Sequence, residues 1–144
     1  MKKVFFMLGR ILLSLIFICL VTNQILNWDV VQQAFDKSVS DWIVHPGLPD
    51  RIQKVFSLLL SYSSLVMVLA SVFAGLGGLF VLLGIQVRLG AILLILFLIP
   101  LTVIMHAFWM YHGSMREMEM MMFLKNISLV GGLFILATSV EGKE

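Results

Sequence analysis

The stretch GGLFVLLGIQVRLGAILLILFLIP, residues 77–100, contains two apolar runs that are separated by the short link GIQVR, residues 84–88. A link of this length joins two helices into an antiparallel hairpin. Arg88, at the end of the link, is expected to be an anchor on the polar side of a membrane. Each apolar run continues beyond the stretch, so the hairpin predicts two adjacent helices that cross a bilayer.

Four runs in the chain reach the length that a membrane-spanning helix needs, which is about 20 mostly apolar residues. They cover residues 4–26, 55–83, 89–111 and 119–139. The chain is 60% hydrophobic and 12% charged, whereas soluble domains carry roughly 25% charged residues. The runs are continuous rather than alternating, which favours helices over a β-barrel. We therefore predict an all-α membrane protein with four transmembrane helices in one bundle, as a single domain over residues 1–144.

A more polar outer loop, residues 28–54, separates the first two runs. Its apolar residues recur at three- and four-residue spacing, which indicates one apolar helical face. They are Trp28, Val31, Phe35, Val39, Trp42 and Ile43. We predict an interfacial amphipathic helix with aromatic anchors that shields the outer end of the bundle. A lid or a docking site for a partner is the alternative.

Small residues indicate where the helices are expected to pack closely, because they let helix backbones approach one another. They are Ala70, Ala74 and Gly78 in the second run, and Ser128, Gly131 and Gly132 in the fourth. Pro100, near the middle of the third run, removes one backbone hydrogen bond and predicts a kink.

Lysine and arginine in the short loops predict the orientation, since the cytoplasmic side carries their excess. With the N-terminus inside, the cytoplasmic side has five of these residues and the outer side has four. The cytoplasmic set is Lys2, Lys3, Arg10, Arg88 and Lys143. We expect both termini in the cytoplasm and the first run to be retained, because no small-residue cleavage site follows it.

The composition also excludes some classes of function. A net charge of +2 without a basic cluster argues against nucleic-acid binding. The single cysteine, Cys19, excludes an internal disulfide and a dithiol within this chain. The sequence has no paired carboxylates, nucleophile elbow, phosphate loop or clustered zinc ligands. Whether the chain is an enzyme therefore stays open.

The segment HAFWMYHGSMREMEMMMFLKN, residues 106–126, places ionisable residues inside two apolar runs. Such residues are costly in a membrane and mark a functional site by default. At 1.5 Å per residue, His106 and Lys125 lie at similar depths, about 10 Å and 9 Å from the turn between their helices. Lys125 shares a helical face with Ser128 and Gly132, so we expect it to point into the bundle with His106.

These positions predict a polar pocket in the outer leaflet. Its ligand-binding residues would be Asn23, His106, Lys125 and Asn126, with Trp109 at the rim. Lysine offers three donors and neutral histidine one donor and one acceptor. The pocket would suit an anionic or carbonyl-bearing ligand, including a quinone ring. The alternative is a purely structural role, because histidine and asparagine also tie membrane helices together.

Methionines crowd the same segment, and soft thioethers favour Cu(I). The candidates for a copper site are His106, Met110, His112 and Met115. Methionine is also a flexible apolar filler, and no ordered repeat defines a site, so we expect no metal. Glu117 and Glu119 lie near the start of the last helix, where they complement its positive end; we expect them on a solvated face.

Five segments of the chain share their residues with a known family. They are GRILLSLIF (9–17), Asn-Trp-Asp (27–29), the opening stretch (77–100), HAFW (106–109) and FLKNISLVGGLFILA (123–137). Together they resemble the DoxX family of small bacterial and archaeal membrane proteins. The resemblance implies a four-helix protein of the bacterial plasma membrane. The family is named after a component of a quinone-linked oxidoreductase, and many members carry the label oxidoreductase.

The resemblance implies a subunit or accessory of a membrane redox system that handles quinone together with redox-partner proteins. Many relatives carry a glutamate in helix two where this chain has Ala74, so a proton carrier is not expected there. The runner-up is a non-enzymatic protein of membrane assembly or integrity. A small-solute or copper-handling protein comes third. No cofactor motif is evident, and a homo-oligomer is compatible with the sequence.

Overall fold

The computed structural model describes residues 1–139 and contains six α-helices and no strand in that range. The helices are α1 (Lys2–Leu26), α2 (Trp28–Ile43), α3 (Asp50–Ser61), α4 (Ser63–Leu83), α5 (Val87–Met105) and α6 (Gly113–Ser139). A 3₁₀ turn, Phe108–Met110, follows α5. The all-α prediction is confirmed. Lys143 and the C-terminus, which enter the predicted orientation, lie outside the described residues.

Four helical segments in residues 1–139 are long and apolar enough to span a membrane. They are Lys2–Leu26, Ser63–Leu83, Val87–Met110 and Gly113–Ser139. The second expected run, residues 55–83, is divided at Tyr62, so its first residues belong to α3. The last helix begins at Gly113 rather than at residue 119. With 27 residues it is about 40 Å long, so it exceeds a hydrocarbon core of about 30 Å.

The helices α4 and α5 form a hairpin in which the two backbones approach closely. A Cβ on Gly77 would lie 2.9 Å from the Gly90 carbonyl oxygen, and a Cβ on Gly90 would lie 2.9 Å from that of Gly77. The two helices therefore touch backbone to backbone. Gly84 turns the chain between them with φ +76°, a conformation that glycine adopts without strain.

Helix α1 packs on the other side of α4. A Cβ on Gly78 would meet Ile18 at 3.0 Å, and Ala74 is fully buried beside it. Phe17 of α1 reaches the edge of the Phe97 ring of α5, with 6.5 Å between the ring centroids. The small residues of α4 thus let one helix contact two neighbours.

Helix α6 packs on α5 in a different way from the expected one. Its buried residues are Asn126, Val130, Leu133 and Leu136. Ser128 and Gly131 are exposed, and nothing lies within 4 Å of a Cβ built on Gly131. The expected close-packing surface of small residues on α6 is therefore wrong, because large aliphatic side chains fill this interface.

The outer segment forms a cap of two helices, α2 and α3, rather than one. Phe35 and Val39 of α2 are buried against Met67 of α4. Trp42 stacks on Phe56 of α3, and its indole N–H donates to the Ile104 carbonyl oxygen at 3.2 Å. The expected apolar face of α2 thus covers the outer ends of α4 and α5.

Candidate functional site

His106 stands at the end of α5, where the helix gives way to the 3₁₀ turn. Its Nδ1 atom lies 2.8 Å from Oε2 of Glu119 on α6. The side chains are 26% and 18% exposed, so water screens the pair only in part. Because a carboxylate only accepts hydrogen bonds, the geometry assigns the Nδ1 proton to His106 and leaves Nε2 as its second functional atom.

His106 also lines a cavity of about 170 Å³ between the helices. Side chains of α1, α2, α4 and α5 form its wall, and most of them are apolar. Gln24 is the other polar residue of the wall. Its amide nitrogen lies 3.5 Å from the Met67 carbonyl oxygen, at the limit of a hydrogen bond, so the amide can turn to a ligand.

A second cavity, of about 230 Å³, adjoins the first. The two share five lining residues, Phe35, Val66, Ala70, Phe97 and Leu101. The remaining wall includes Leu69, Phe73, Leu96 and Pro100, which are exposed on the outside of α4 and α5. The second cavity therefore opens on the apolar outer surface of the bundle rather than at its polar end.

Tyr111 lies on the polar side of the His106–Glu119 pair. Its hydroxyl donates to Oδ2 of Asp41 at 3.3 Å, and both residues line an outer hollow with His45. Burial raises the pKa of the Tyr111 phenol, and the negative charges of Asp41 and Glu119 raise it further. Tyr111 therefore stays neutral and acts as a donor at neutral pH.

An aromatic cluster covers the same end of the bundle. Trp109 meets Trp42 and Phe123 edge-on, with 5.9 Å between ring centroids in each pair. Phe108 packs on both Trp109 and Phe123. Such edge-to-face pairs hold rings in fixed positions. The cluster joins the cap, the 3₁₀ turn and α6, and it keeps the connection around His106 in place.

The five residues expected to bind a ligand do not meet around one cavity. Only His106 lines the cavities just described. Lys125 is exposed, with its ammonium 3.3 Å from the Met122 sulfur, so the expectation that it points inward is wrong. Asn23 is also exposed and pairs with Asn27. Trp109 belongs to the aromatic cluster, and Asn126 is buried on α6.

The site also contains Gln24 and Glu119, which were not predicted to belong to it. Gln24 directly follows the predicted residue Asn23, so the prediction missed it by one position on α1. Glu119 was expected on a solvated face because it lies near a turn. Its position in the chain could have identified it, because the start of α6 faces His106 across the α5–α6 connection.

The residues considered for copper lie in different surroundings. His106 pairs with Glu119, Met110 lines the outer hollow, and His112 and Met115 are exposed. Within residues 1–139, no three His, Cys, Asp or Glu side chains form a group that could hold a metal ion. Ala74 of α4, where no proton carrier was expected, is fully buried. The carboxylate beside His106 is that of Glu119 on α6.

Comparison with known proteins gives one match. The family model described as DoxX matches residues 5–107, which is more than half of the chain. The matched region includes His106 and Gln24 and ends before Glu119. No curated protein and no solved structure matches the chain.

Proposed function

The chain belongs to the DoxX family of membrane proteins, and we propose that it binds a lipophilic quinone as a subunit of a membrane redox system. The observation that carries this proposal is the His106–Glu119 pair beside a cavity whose wall is apolar except for His106 and Gln24. A quinone is a flat apolar ring with two carbonyl oxygens that accept hydrogen bonds. Its recognition therefore needs an apolar wall with a few well-placed donors.

The second cavity supports an entrance from the lipid. A quinone is dissolved in the bilayer, so it reaches a membrane protein sideways rather than through water. Leu69, Phe73 and Leu96 surround the opening between α4 and α5. Small-molecule sites typically have volumes of about 300 Å³ or more. Neither cavity reaches this size alone, but a rotamer change at a shared side chain such as Leu101 would join them.

The polar residues support proton transfer to the ring. Reduction of a quinone consumes two electrons and two protons. Protonated His106 would donate one proton from Nε2 to the ring oxygen beside it, and Glu119 would stabilise the imidazolium through Nδ1. The second proton would reach the other ring oxygen from the partner protein that supplies the electrons. The Gln24 amide would donate a hydrogen bond to the other ring oxygen. Proton replacement would come from the outer hollow, where Tyr111 donates to Asp41 and lies close enough to Glu119 for this charge to raise its pKa.

The electrons would come from a partner protein. The single cysteine excludes a dithiol in this chain, so we assign the electron source to a subunit that carries flavin, haem or thiols. We propose further that the protein is in a bacterial plasma membrane with its N-terminus in the cytoplasm. Lys2 and Lys3 are the first two residues of the first span, which supports this orientation.

The test is the quinone content of the purified protein. The protein is extracted from bacterial membranes in a mild detergent, and bound quinones and co-purifying proteins are identified by mass spectrometry. Ala70→Phe fills a position that lines both cavities, whereas Val72→Phe adds the same ring on the exposed side of α4. We expect bound quinone to fall more than about tenfold, or about 1.4 kcal/mol, in Ala70→Phe only.

Two results would contradict the proposal. One is a wild-type protein that retains no quinone even after reconstitution with an excess of it. The other is an equal loss in both variants, because this would trace the binding to the lipid-facing surface rather than to the cavities. In either case a non-enzymatic role in membrane assembly becomes the better explanation of the fold.

A further inference from the structure

The opposite end of the bundle has a basic hollow that the proposed function does not use. Lys2, Lys3 and Arg10 of α1 line it together with Phe6, Met7 and Ser139, and its volume is about 370 Å³. No aspartate or glutamate among residues 1–139 belongs to this wall. Within residues 1–139, none of the three cations takes part in an ion pair. Among the described residues, the hollow therefore concentrates positive charge without a counter-charge.

Arg10 is held in place by the α4–α5 turn. A Cβ on Gly84 would overlap the Arg10 guanidinium, so the side chain lies directly against the turn. The Nε atom of Arg10 is buried and has no hydrogen-bond partner among the described residues. A buried unpartnered donor is costly, so it favours a ligand with acceptor oxygens beside it. Part of the charge is thus fixed before a ligand arrives.

An apolar groove continues from the basic hollow. It has a volume of about 300 Å³, runs between α1 and α6, and shares Phe6, Arg10 and Ser139 with the hollow. Its wall includes Leu13 and Leu136. The groove is open at Gly9 and Gly132, because glycine has no side chain to fill it. A Cβ on Gly9 would meet nothing within 4 Å, and one on Gly132 would only touch Leu13 at 3.7 Å. A basic hollow above an apolar groove matches a phosphate group above an acyl chain.

We propose that this hollow and groove form a binding site for an anionic phospholipid. The phosphate lies among Lys2, Lys3 and Arg10, and one acyl chain lies along Leu13 between α1 and α6. Basic residues at the ends of spanning helices bind anionic headgroups, and each contributes about fivefold in affinity near the surface. The bound lipid fills the space between α1 and α6 at this end of the bundle and stabilises the contact between these two helices.

The test measures lipid binding to the full-length protein by native mass spectrometry from detergent. The protein is equilibrated with equal amounts of phosphatidylglycerol and phosphatidylcholine that carry the same acyl chains. We expect phosphatidylglycerol to be retained at least about tenfold better. Lys2→Gln with Lys3→Gln should remove this preference, and Arg10→Gln should lower it about fivefold. Lys37→Gln with Lys54→Gln, at the other end of the bundle, is the charge-matched control.

A second pair of variants tests the groove. Gly132→Leu fills the groove, whereas Gly131→Leu adds the same side chain on the exposed face of α6. We expect phosphatidylglycerol retention to fall severalfold only in Gly132→Leu. Inorganic phosphate should not displace the lipid, because it gains nothing from the groove. Equal retention of the two lipids, or an equal loss in the two glycine variants, would overturn the proposal.

The chain itself offers one rival occupant. Glu141 and Glu144 follow Ser139 in the sequence and lie outside the described residues. A variant with Glu141→Gln and Glu144→Gln separates the two possibilities. If the wild-type protein shows no preference for the anionic lipid and this variant acquires one, the C-terminal glutamates and not a lipid neutralise the hollow. The preference is expected to be present in both proteins.

Discussion

Nδ1 of His106 lies 2.8 Å from Oε2 of Glu119, and this contact joins the end of α5 to the second turn of α6. It brings together two residues from the two sides of the α5–α6 connection. A hydrogen bond with a charged partner contributes about 1.5–3 kcal/mol where water is partly excluded. The pair therefore both positions the imidazole and stabilises the connection around it.

Glu119→Gln should lower the free energy of unfolding by about 1–2 kcal/mol, because the amide cannot replace a charge-assisted hydrogen bond. Glu117→Gln is the matched control. Glu117 is exposed near the same helix start, so its loss should change stability by about 0.5 kcal/mol or less. Equilibrium unfolding in mixed micelles, followed by circular dichroism, measures both. Equal effects of the two substitutions would show that the pair does not stabilise the connection.

Gly77→Ala and Gly90→Ala should each destabilise the bundle by about 1–3 kcal/mol, the usual cost of overpacking. The reason is that each new methyl would lie 2.9 Å from a backbone oxygen that cannot move away without separating α4 from α5. Gly131→Ala should be neutral or slightly stabilising, since nothing lies within 4 Å and alanine favours a helix. Thermal unfolding in detergent compares the three. A tolerated Gly77→Ala would contradict the close crossing.

The phenol of Tyr111 should titrate above its ordinary pKa of 10.0, because burial and then the charge of Asp41 favour its neutral form. The folded protein holds this proton more tightly than the unfolded chain does. The free energy of unfolding should therefore fall as pH rises from about 10 to the raised pKa, and be unaffected by this group below that window.

Ultraviolet titration measures the pKa of Tyr111 directly. Tyr62→Phe leaves Tyr111 as the only tyrosine, since the chain has two. In that background, Asp41→Asn should bring the pKa of Tyr111 down toward its ordinary value, because it removes one of the charges that raise it. An unchanged midpoint would mean that Asp41 does not act on Tyr111.

Lys125→Met should leave the bound quinone unchanged, because Lys125 is exposed and lines neither cavity. The methionine is close to lysine in size and removes a charge from a spanning helix, so stability should stay the same or rise. Quinone content and thermal unfolding of the variant check both statements. A loss of quinone with an intact fold would restore Lys125 to the site.

The sequence predicted the part of the fold that depends on apolar length. Four runs of spanning length and the short link at residues 84–88 were sufficient for the helices and for the α4–α5 hairpin. The apolar runs did not reveal the break at Tyr62, because an apolar run can be continuous in sequence where one helix ends and the next begins. They also missed the start of α6 at Gly113, since its first turns are polar and extend beyond the apolar run.

The sequence predicted which segment of the chain carries the site, but not all of the residues that form it. The sequence identified His106 and the α5–α6 connection, and the structure adds Glu119 and Gln24. On α1 the error is one residue, because Gln24 is buried where Asn23 was expected. On α6 both Lys125 and Asn126 were expected to face inward, and only Asn126 is buried. Adjacent residues on a helix differ by about 100° in direction, so only one of two neighbours can face the bundle.

The sequence by itself thus determined an all-α membrane protein, its helix pairing at the tight link and the segment that carries its ionisable residues. Hydrophobic length and loop length are local properties that a chain carries wherever it folds. Only the tertiary structure decided which side of each helix turns inward, because this depends on how neighbouring side chains pack. The contact of His106 with Glu119, rather than with Lys125, is the result of that rotation.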